Sequence, residues 1–239
     1  MRQDRPTLLC IPGLLCDDAS WAPLLAALNR DWHVVIPDQD AFDSLTDMAT
    51  HALSLFDGDA IVLGHSMGAR VALELWRLAP ARVAALGLFD TGVNPTTDAE
   101  LPKRQARVQL AYDQGMAALC KDWLPPMVAP QHQANTTLMQ ALEHMVLRRT
   151  PESHARQIHA LIHRPDPTHL LPQIACPTLV LVGREDLWSP VAQHQSIAKM
   201  IPGSRLEIIE DAGHFAPAEQ PDACAHVILN WLRDAGLAD

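Results

Sequence analysis

The segment Gly64–Gly68 reads Gly-His-Ser-Met-Gly and joins an apolar run to a stretch with helical spacing. The run Asp59–Leu63 is typical of a buried strand, and residues 69–77 repeat their apolar side chains with the period of a helix. Gly-x-Ser-x-Gly between a strand and a helix predicts a sharp turn that exposes the serine hydroxyl. Glycine is needed on both sides because a Cβ there would collide with the neighbouring backbone. We therefore predict Ser66 as a nucleophile on a strand-to-helix turn.

The same turn predicts a place where negative charge can be stabilised. The Met67 N–H lies at the N-terminus of the following helix, where free donors and the helix dipole favour an anion. A second donor must face Ser66 from another strand end. The apolar run Thr7–Ile11 ends at Pro12-Gly13, so the next residue, Leu14, is the candidate. The alternative for Leu14 is an ordinary loop between a strand and a helix.

Strand-like and helix-like segments alternate along the chain. The predicted strands are Thr7–Ile11, His33–Pro37, Ala60–Leu63, Val83–Phe89, Pro177–Val182 and Ser204–Ile209. The predicted helices between and after them are Ser20–Leu28, Leu45–Phe56, the one following Ser66, and Asp222–Leu232. This order predicts an α/β fold with a doubly wound, mostly parallel sheet. The strands Thr7–Ile11, His33–Pro37 and Ala60–Leu63 are expected to be buried. Ligands of such sheets bind at the carboxyl ends of the strands.

The pattern changes between residues 93 and 173, where strand-like runs give way to helical periodicity. We expect helices at Leu101–Trp123, Thr136–Arg149 and Glu152–Arg164. The predicted organisation is a core of residues 1–92 and 174–239, with residues 93–173 as a helical lid over the strand ends. Flexible apolar side chains could line a pocket under this lid or simply pack it onto the core: Met116, Trp123, Met127, Met139 and Met145.

A carboxylate and a histidine follow the last two predicted strands. Asp186 lies four residues beyond the fifth strand, and His214 lies just past the sixth in the loop Asp211–Phe215. Nucleophile, acid and histidine in this order are the arrangement of a triad on such a sheet. Asp90, directly after the fourth strand, is the competing acid. His65, next to the nucleophile, is predicted to pack behind the site.

Composition excludes several other classes of protein. A formal net charge of −10 without a basic cluster argues against binding to nucleic acid, which depends on Lys and Arg. Absence of a long apolar run argues against a membrane span, and the N-terminal residues lack an apolar signal region, so we expect a cytoplasmic protein. The five scattered cysteines are predicted to be free thiols, and neither a metal site nor a cofactor is expected.

Together, Gly64–Gly68, Val182–Asp186 and Asp211–Phe215 resemble the α/β-hydrolase fold, and the resemblance spans nearly the whole chain. Within that fold, small esterases of the pimeloyl-acyl-carrier-protein methyl ester esterase type look most similar. The resemblance implies the triad Ser66, Asp186 and His214, with Met67 and Leu14 as oxyanion donors. The chain departs from the family pattern at Pro12-Gly13, where His-Gly is usual, and at Gln39–Phe42, where Pro-Gly-x-Gly is usual.

The leading functional prediction is a cofactor-free serine hydrolase, carboxylesterase-like, that cleaves small carboxylic esters through an acyl-enzyme on Ser66. Thioester, lactone or carbon-carbon bond cleavage could use the same residues. Non-hydrolytic alternatives on this fold are an acyltransferase, a cofactorless oxygenase or a receptor. The complete set of serine, aspartate and histidine argues against a pure binding role. A nicotinamide-binding protein is excluded because no Gly-x-Gly-x-x-Gly follows a predicted strand.

Overall fold

The computed structural model describes residues 6–238, and in this range six strands form one sheet. The strands are β1 Thr7–Ile11, β2 His33–Val35, β3 Ala60–His65, β4 Val83–Phe89, β5 Thr178–Gly183 and β6 Arg205–Ile209. Their order across the sheet is β2-β1-β3-β4-β5-β6, and every neighbouring pair is parallel. The predicted α/β fold with a parallel sheet is therefore confirmed.

Helices cover both faces of this sheet. They are α1 Ala22–Leu28, α2 Leu45–Leu53, α3 Met67–Leu78, α4 Leu101–Trp123, α5 Thr136–Leu147, α6 Pro151–Ile162, α7 Val191–Met200, α8 Ala216–Glu219 and α9 Pro221–Asp234. Because side chains alternate along a strand, Leu9 packs in the same cluster as α2 and α3, whereas Leu8 packs in the cluster with α1 and α9. Strands buried on both faces explain the continuous apolar runs in the sequence.

The second strand differs from its prediction. We expected a buried strand over His33–Pro37, but β2 ends at Val35, and His33 and Val34 are exposed. The physical reason is its position, because β2 lies at the edge of the sheet and pairs only with β1. The apolar residues of this strand therefore did not indicate burial.

Three helices, α4, α5 and α6, lie between β4 and β5, where the sequence predicted helices with nearly the same limits. Helix α4 contacts both α5 and α6. It is interrupted at Gly115, whose φ of 82° is outside the helical region and suits glycine. The division of the chain into core and lid remains a prediction.

All five cysteines are free thiols. Among residues 6–238, none of the helices combines the length and apolar character needed to cross a membrane.

Candidate active site

Ser66 lies at the turn between β3 and α3, with a strained backbone. Its φ is 56° and its ψ is −115°, a conformation that non-glycine residues rarely adopt. The Ser66 N–H donates to the Phe89 carbonyl over 2.9 Å, which fixes the turn against β4. A Cβ at Gly68 would overlap the Ile11 carbonyl oxygen, and one at Gly64 would lie 2.5 Å from Ala69 Cα. Both glycines of the motif are thus required by close backbone contacts.

The side chains of Ser66, His214 and Asp186 form a continuous hydrogen-bonded line. His214 Nε2 lies 2.8 Å from Ser66 Oγ, and His214 Nδ1 lies 2.8 Å from Asp186 Oδ2. The other carboxylate oxygen, Asp186 Oδ1, accepts the N–H groups of Trp188 and Ser189 at 2.8 Å each. Residues that follow three different strands are therefore brought together as predicted.

The environment of Asp186 keeps it ionised. Its side chain is buried, and burial alone would raise the pKa of Asp186. The adjacent His214 ring and the N–H groups of Trp188 and Ser189 outweigh that effect and hold the pKa below its ordinary value. A carboxylate beside Nδ1 fixes the histidine tautomer with its proton on Nδ1, which leaves Nε2 free to accept one from Ser66.

The competing acid, Asp90, lies behind the site rather than in it. It is fully buried at the end of β4, its Oδ1 accepts the Gly183 N–H at 2.9 Å, and its Oδ2 lies 3.8 Å from His65 Nε2. Burial and the nearby charge of Asp186 raise the pKa of Asp90 well above its usual range. Burial therefore disfavours the charged form of Asp90, and its side chain bonds to the Gly183 N–H rather than to His214.

His65 packs behind the site, as predicted, and holds the loop Asp211–Phe215 that carries His214. Its Nε2 donates to the His214 carbonyl over 2.6 Å, and its ring stacks on Phe215 at 5.4 Å. Burial, reinforced by the nearby His214, lowers the pKa of His65 to about 3. The ring is therefore neutral, with its proton on Nε2.

Glu219 is a buried carboxylate that sequence reasoning missed. Its two oxygens accept three backbone N–H groups, those of Gly213, Phe215 and Ala129, at 2.8–3.1 Å. Two of these donors, Gly213 and Phe215, flank His214, so Glu219 fixes the backbone on both sides of this histidine. The only sequence signal was a charged residue in an otherwise apolar stretch after Phe215.

The predicted oxyanion donors border the same cavity as Ser66. Met67 is the first residue of α3, so its N–H has no acceptor within the helix. Leu14 lines the cavity opposite, and a Cβ on Gly13 would lie 3.2 Å from Ser66 Cβ, which shows how close this loop comes. The next N–H, that of Leu15, donates to Gln157 Oε1 of α6 over 2.9 Å. Helix α6 thus holds the loop in place.

A cavity of about 590 Å³ opens beside Ser66 between the strand ends and helices α4 and α6. Of the apolar side chains that were expected either to line a pocket or to pack onto the core, Trp123 and Met127 line this cavity. Met145 is fully buried in the core, and Met116 and Met139 pack against that core. The rest of the wall mixes apolar side chains, such as Ile158 and Leu161, with charged ones. Its positively charged side chains are Arg70, Lys103, Arg104, Arg107 and Arg164.

A parallel sheet whose serine turn faces a histidine and a carboxylate at hydrogen-bonding distance defines a hydrolase of the α/β class. The family model described as "Alpha/beta hydrolase family" matches residues 8–227. The chain therefore belongs to the α/β-hydrolase family, and the predicted family is confirmed.

Individual relatives agree with this assignment. The protein named "Putative carbamate hydrolase RutD" of Stutzerimonas stutzeri (strain A1501) is 26% identical over 259 residues, which cover 98% of this chain and 94% of the relative. A malate-bound thermophilic esterase from Thermogutta terrifontis is 29% identical with a TM-score of 0.89, covering 96% of this chain and 90% of that one. The enol-lactonase from Burkholderia xenovorans LB400 is 23% identical with a TM-score of 0.85, covering 98% and 94%, and this likeness shows the fold alone.

Proposed function

We propose that this hydrolase cleaves carboxylic esters through an acyl-enzyme on Ser66. The observation that carries the proposal is the line of two 2.8 Å contacts from Ser66 Oγ through His214 to Asp186. A serine hydroxyl is a weak nucleophile until a base accepts its proton, and this line supplies the base and the group that orients it.

The proposed reaction uses each part of the site in turn. His214 Nε2 takes the Ser66 Oγ proton while Oγ attacks the ester carbonyl, and the carbonyl oxygen becomes an oxyanion held by the Leu14 and Met67 N–H groups. The tetrahedral intermediate collapses, and His214 gives its proton to the departing alkoxide, which leaves as the alcohol. A water molecule then attacks the acyl-enzyme with His214 again as base. This step releases the acid and restores the Ser66 hydroxyl.

Two of the similar proteins bear on the choice of substrate. The name of the Thermogutta terrifontis protein, an esterase, supports an ester substrate at 29% identity. The name of the Stutzerimonas stutzeri protein favours a carbamate as a second candidate. A carbamate presents the same kind of carbonyl carbon to Ser66, so the proposed residues would serve either reaction.

The test is the variant Ser66→Ala, assayed with p-nitrophenyl butyrate and with a fluorophosphonate probe. We expect loss of probe labelling and a fall in kcat by a factor on the order of 10⁴ to 10⁶, because the nucleophile is gone. Thermal unfolding should be nearly unchanged, since the hydroxyl points into the cavity rather than the core. Ser54→Ala, at the C-terminal end of α2, is the matched control.

Unchanged turnover in Ser66→Ala would contradict the proposal. A parallel assay of a p-nitrophenyl carbamate compares the second candidate on the same enzyme. We expect a higher kcat/KM for the ester, and the reverse order would replace the ester by the carbamate as the substrate.

A further inference from the structure

The cavity beside Ser66 is positively charged in a protein that is strongly negative overall. Among the described residues, its wall has five cationic side chains and two carboxylates, Glu100 and Asp122, whereas the whole chain has a formal net charge of −10. Surface charges of an acidic protein are expected to be mostly negative. A local excess of arginine in a cavity next to a nucleophile therefore indicates an anionic ligand.

Most of these cations already have carboxylate partners. Arg164 and Arg104 share Glu100, with their Nη2 atoms 2.8 Å and 2.9 Å from its two oxygens. Burial would raise the pKa of Glu100, but the two guanidinium groups outweigh it and lower that pKa to about 2. Arg107 pairs with Asp122 over 3.0 Å. Because these arginines already have carboxylate partners, none of them offers an unpaired group to a ligand.

Arg70 differs from these three arginines, because no carboxylate within residues 6–238 forms a hydrogen bond or a close ion pair with it. Its Nη2 donates to the Asn94 carbonyl over 3.2 Å, and its Nη1 is buried with no hydrogen-bond partner in that range. Burial and the nearby arginines lower the pKa of Arg70 to about 9, while Glu100 and Asp166 oppose this effect from longer range. A buried donor without a partner is unfavourable. An anion in the cavity would accept from this donor and add negative charge beside the guanidinium.

Arg70 is also correctly placed relative to the nucleophile. It lies in the first turn of α3, and Ser66 is the residue that immediately precedes this helix. Both Ser66 and Arg70 line the cavity. A single small molecule can therefore contact both.

We propose that the substrate is an ester that carries a second, free carboxylate, and that Arg70 binds this carboxylate while Ser66 attacks the ester carbonyl. A guanidinium offers two parallel N–H donors that match a carboxylate. The inference rests on the proposed ester hydrolysis and adds the chemical class of the substrate. The volume of about 590 Å³ suits a monoester of a short dicarboxylic acid.

The first test compares matched substrates on the unaltered enzyme. Monoethyl succinate and monoethyl glutarate are each compared with the corresponding ester in which the free acid is replaced by an amide of the same shape. We expect kcat/KM to be about 10 to 100 times higher for the acids, the range for a hydrogen bond to a charged group. The difference should appear mainly in KM, because the contact is made before the reaction begins.

The second test changes Arg70 itself. Arg70→Gln should remove the preference for the acid by raising KM for the acids, so that the ratio of kcat/KM between acid and amide esters falls towards one. Arg70→Lys should recover part of the preference, since a lysine keeps the charge but loses the paired donors. Arg233→Gln on α9 is the control and should behave as the unaltered enzyme does.

Several outcomes would overturn the inference. One is equal hydrolysis of acid and amide esters by the unaltered enzyme, with p-nitrophenyl butyrate still cleaved, which would leave the proposed function standing. Another is an equal loss on both substrate types in Arg70→Gln, which would make Arg70 a structural residue. Failure to cleave p-nitrophenyl butyrate would overturn the proposed function itself.

Discussion

At the residue scale, the pKa values of two aspartates that both follow buried strands are shifted in opposite directions. His214 and two N–H donors outweigh burial and lower the pKa of Asp186, whereas burial and the charge of Asp186 raise that of Asp90. Position after successive strands favoured Asp186 in the sequence but left Asp90 open. What separates them is the partner that each side chain meets, and His214 contacts Asp186 alone of the two.

This contrast predicts unequal effects of the same substitution. Asp186→Asn should lower kcat by a factor on the order of 10⁴, because an amide at this place favours the wrong histidine tautomer. Asp90→Asn should cost less than about tenfold, because the amide oxygen can still accept the Gly183 N–H and burial already disfavours the charged form of the native group. The measurement is kcat with p-nitrophenyl butyrate, together with thermal unfolding of both variants. A larger loss in Asp90→Asn at equal stability would identify Asp90 as the acid.

The sequence was informative about residues whose role follows from their place in the chain. Ser66, Asp186 and His214 each lie just past a strand, so parallel topology alone predicts that they meet. Glu219 and Arg70 could not be predicted, because their roles depend on groups from distant segments. The acceptor role of Glu219 requires the Ala129 N–H, 90 residues away. Arg70 is distinguished from the paired arginines of the cavity only by a buried donor that has no partner among the described residues.

At the element scale, α4 and α6 both border the cavity, and α6 also holds the loop that follows β1. Gln157 of α6 accepts the Leu15 N–H at 2.9 Å and donates to Asp40 Oδ1 at 3.2 Å, so one side chain connects two core loops. Arg149, just before α6, adds ion pairs of 2.6 Å to Asp17 and Asp40. The limits of these helices were well predicted from periodicity. Their polar contacts with the core were not, because periodicity carries no information about partners.

We predict that Gln157→Leu impairs catalysis as well as stability. The change leaves the buried Leu15 N–H without an acceptor, which costs about 1–3 kcal/mol. Movement of this loop displaces the neighbouring Leu14 N–H, so kcat should fall about tenfold with little change in KM. Steady-state kinetics and urea unfolding test both effects. Gln173→Leu, outside the site, is the control, and an unaltered kcat in Gln157→Leu would refute the link to Leu14.

At the scale of the whole molecule, three buried histidines make stability depend on pH. Burial lowers the pKa of His65 to about 3 and those of His154 and His194 to about 4. An imidazole in the unfolded chain titrates near ~6.5, so between about pH 6.5 and 4 the unfolded chain binds protons that the folded chain does not. The stability that these neutral histidines contribute is fully present above about pH 6.5 and is lost as the pH falls towards about 4. The raised pKa of Asp90 acts in the opposite direction.

A single variant isolates one histidine from these opposing effects. Neither ring nitrogen of His154 has a hydrogen-bond partner in the part of the chain that the structure describes, so His154→Leu removes a titrating group without breaking a bond. Between pH 6 and 5, the slope of unfolding free energy against pH should fall by about 1.4 kcal/mol per unit. Urea unfolding at several pH values measures this slope. The same change at exposed His226 should leave the slope as it was, and an unaltered slope in His154→Leu would contradict the prediction.

The loops after β3, β5 and β6 carry the three residues of the hydrogen-bonded line, whereas most of the cavity wall comes from one continuous stretch between β4 and β5. In protein engineering and in evolution, exchanging that stretch would alter which substrates fit the cavity. The three residues of the hydrogen-bonded line would stay in place, because they lie on other loops of the sheet. The exchange must keep an acceptor for the Leu15 N–H, which Gln157 supplies, and it has a further requirement on the backbone. The Met127 carbonyl accepts the His214 N–H at 2.7 Å and the Ala129 N–H binds Glu219, so any replacement must present the same two backbone groups at the same point.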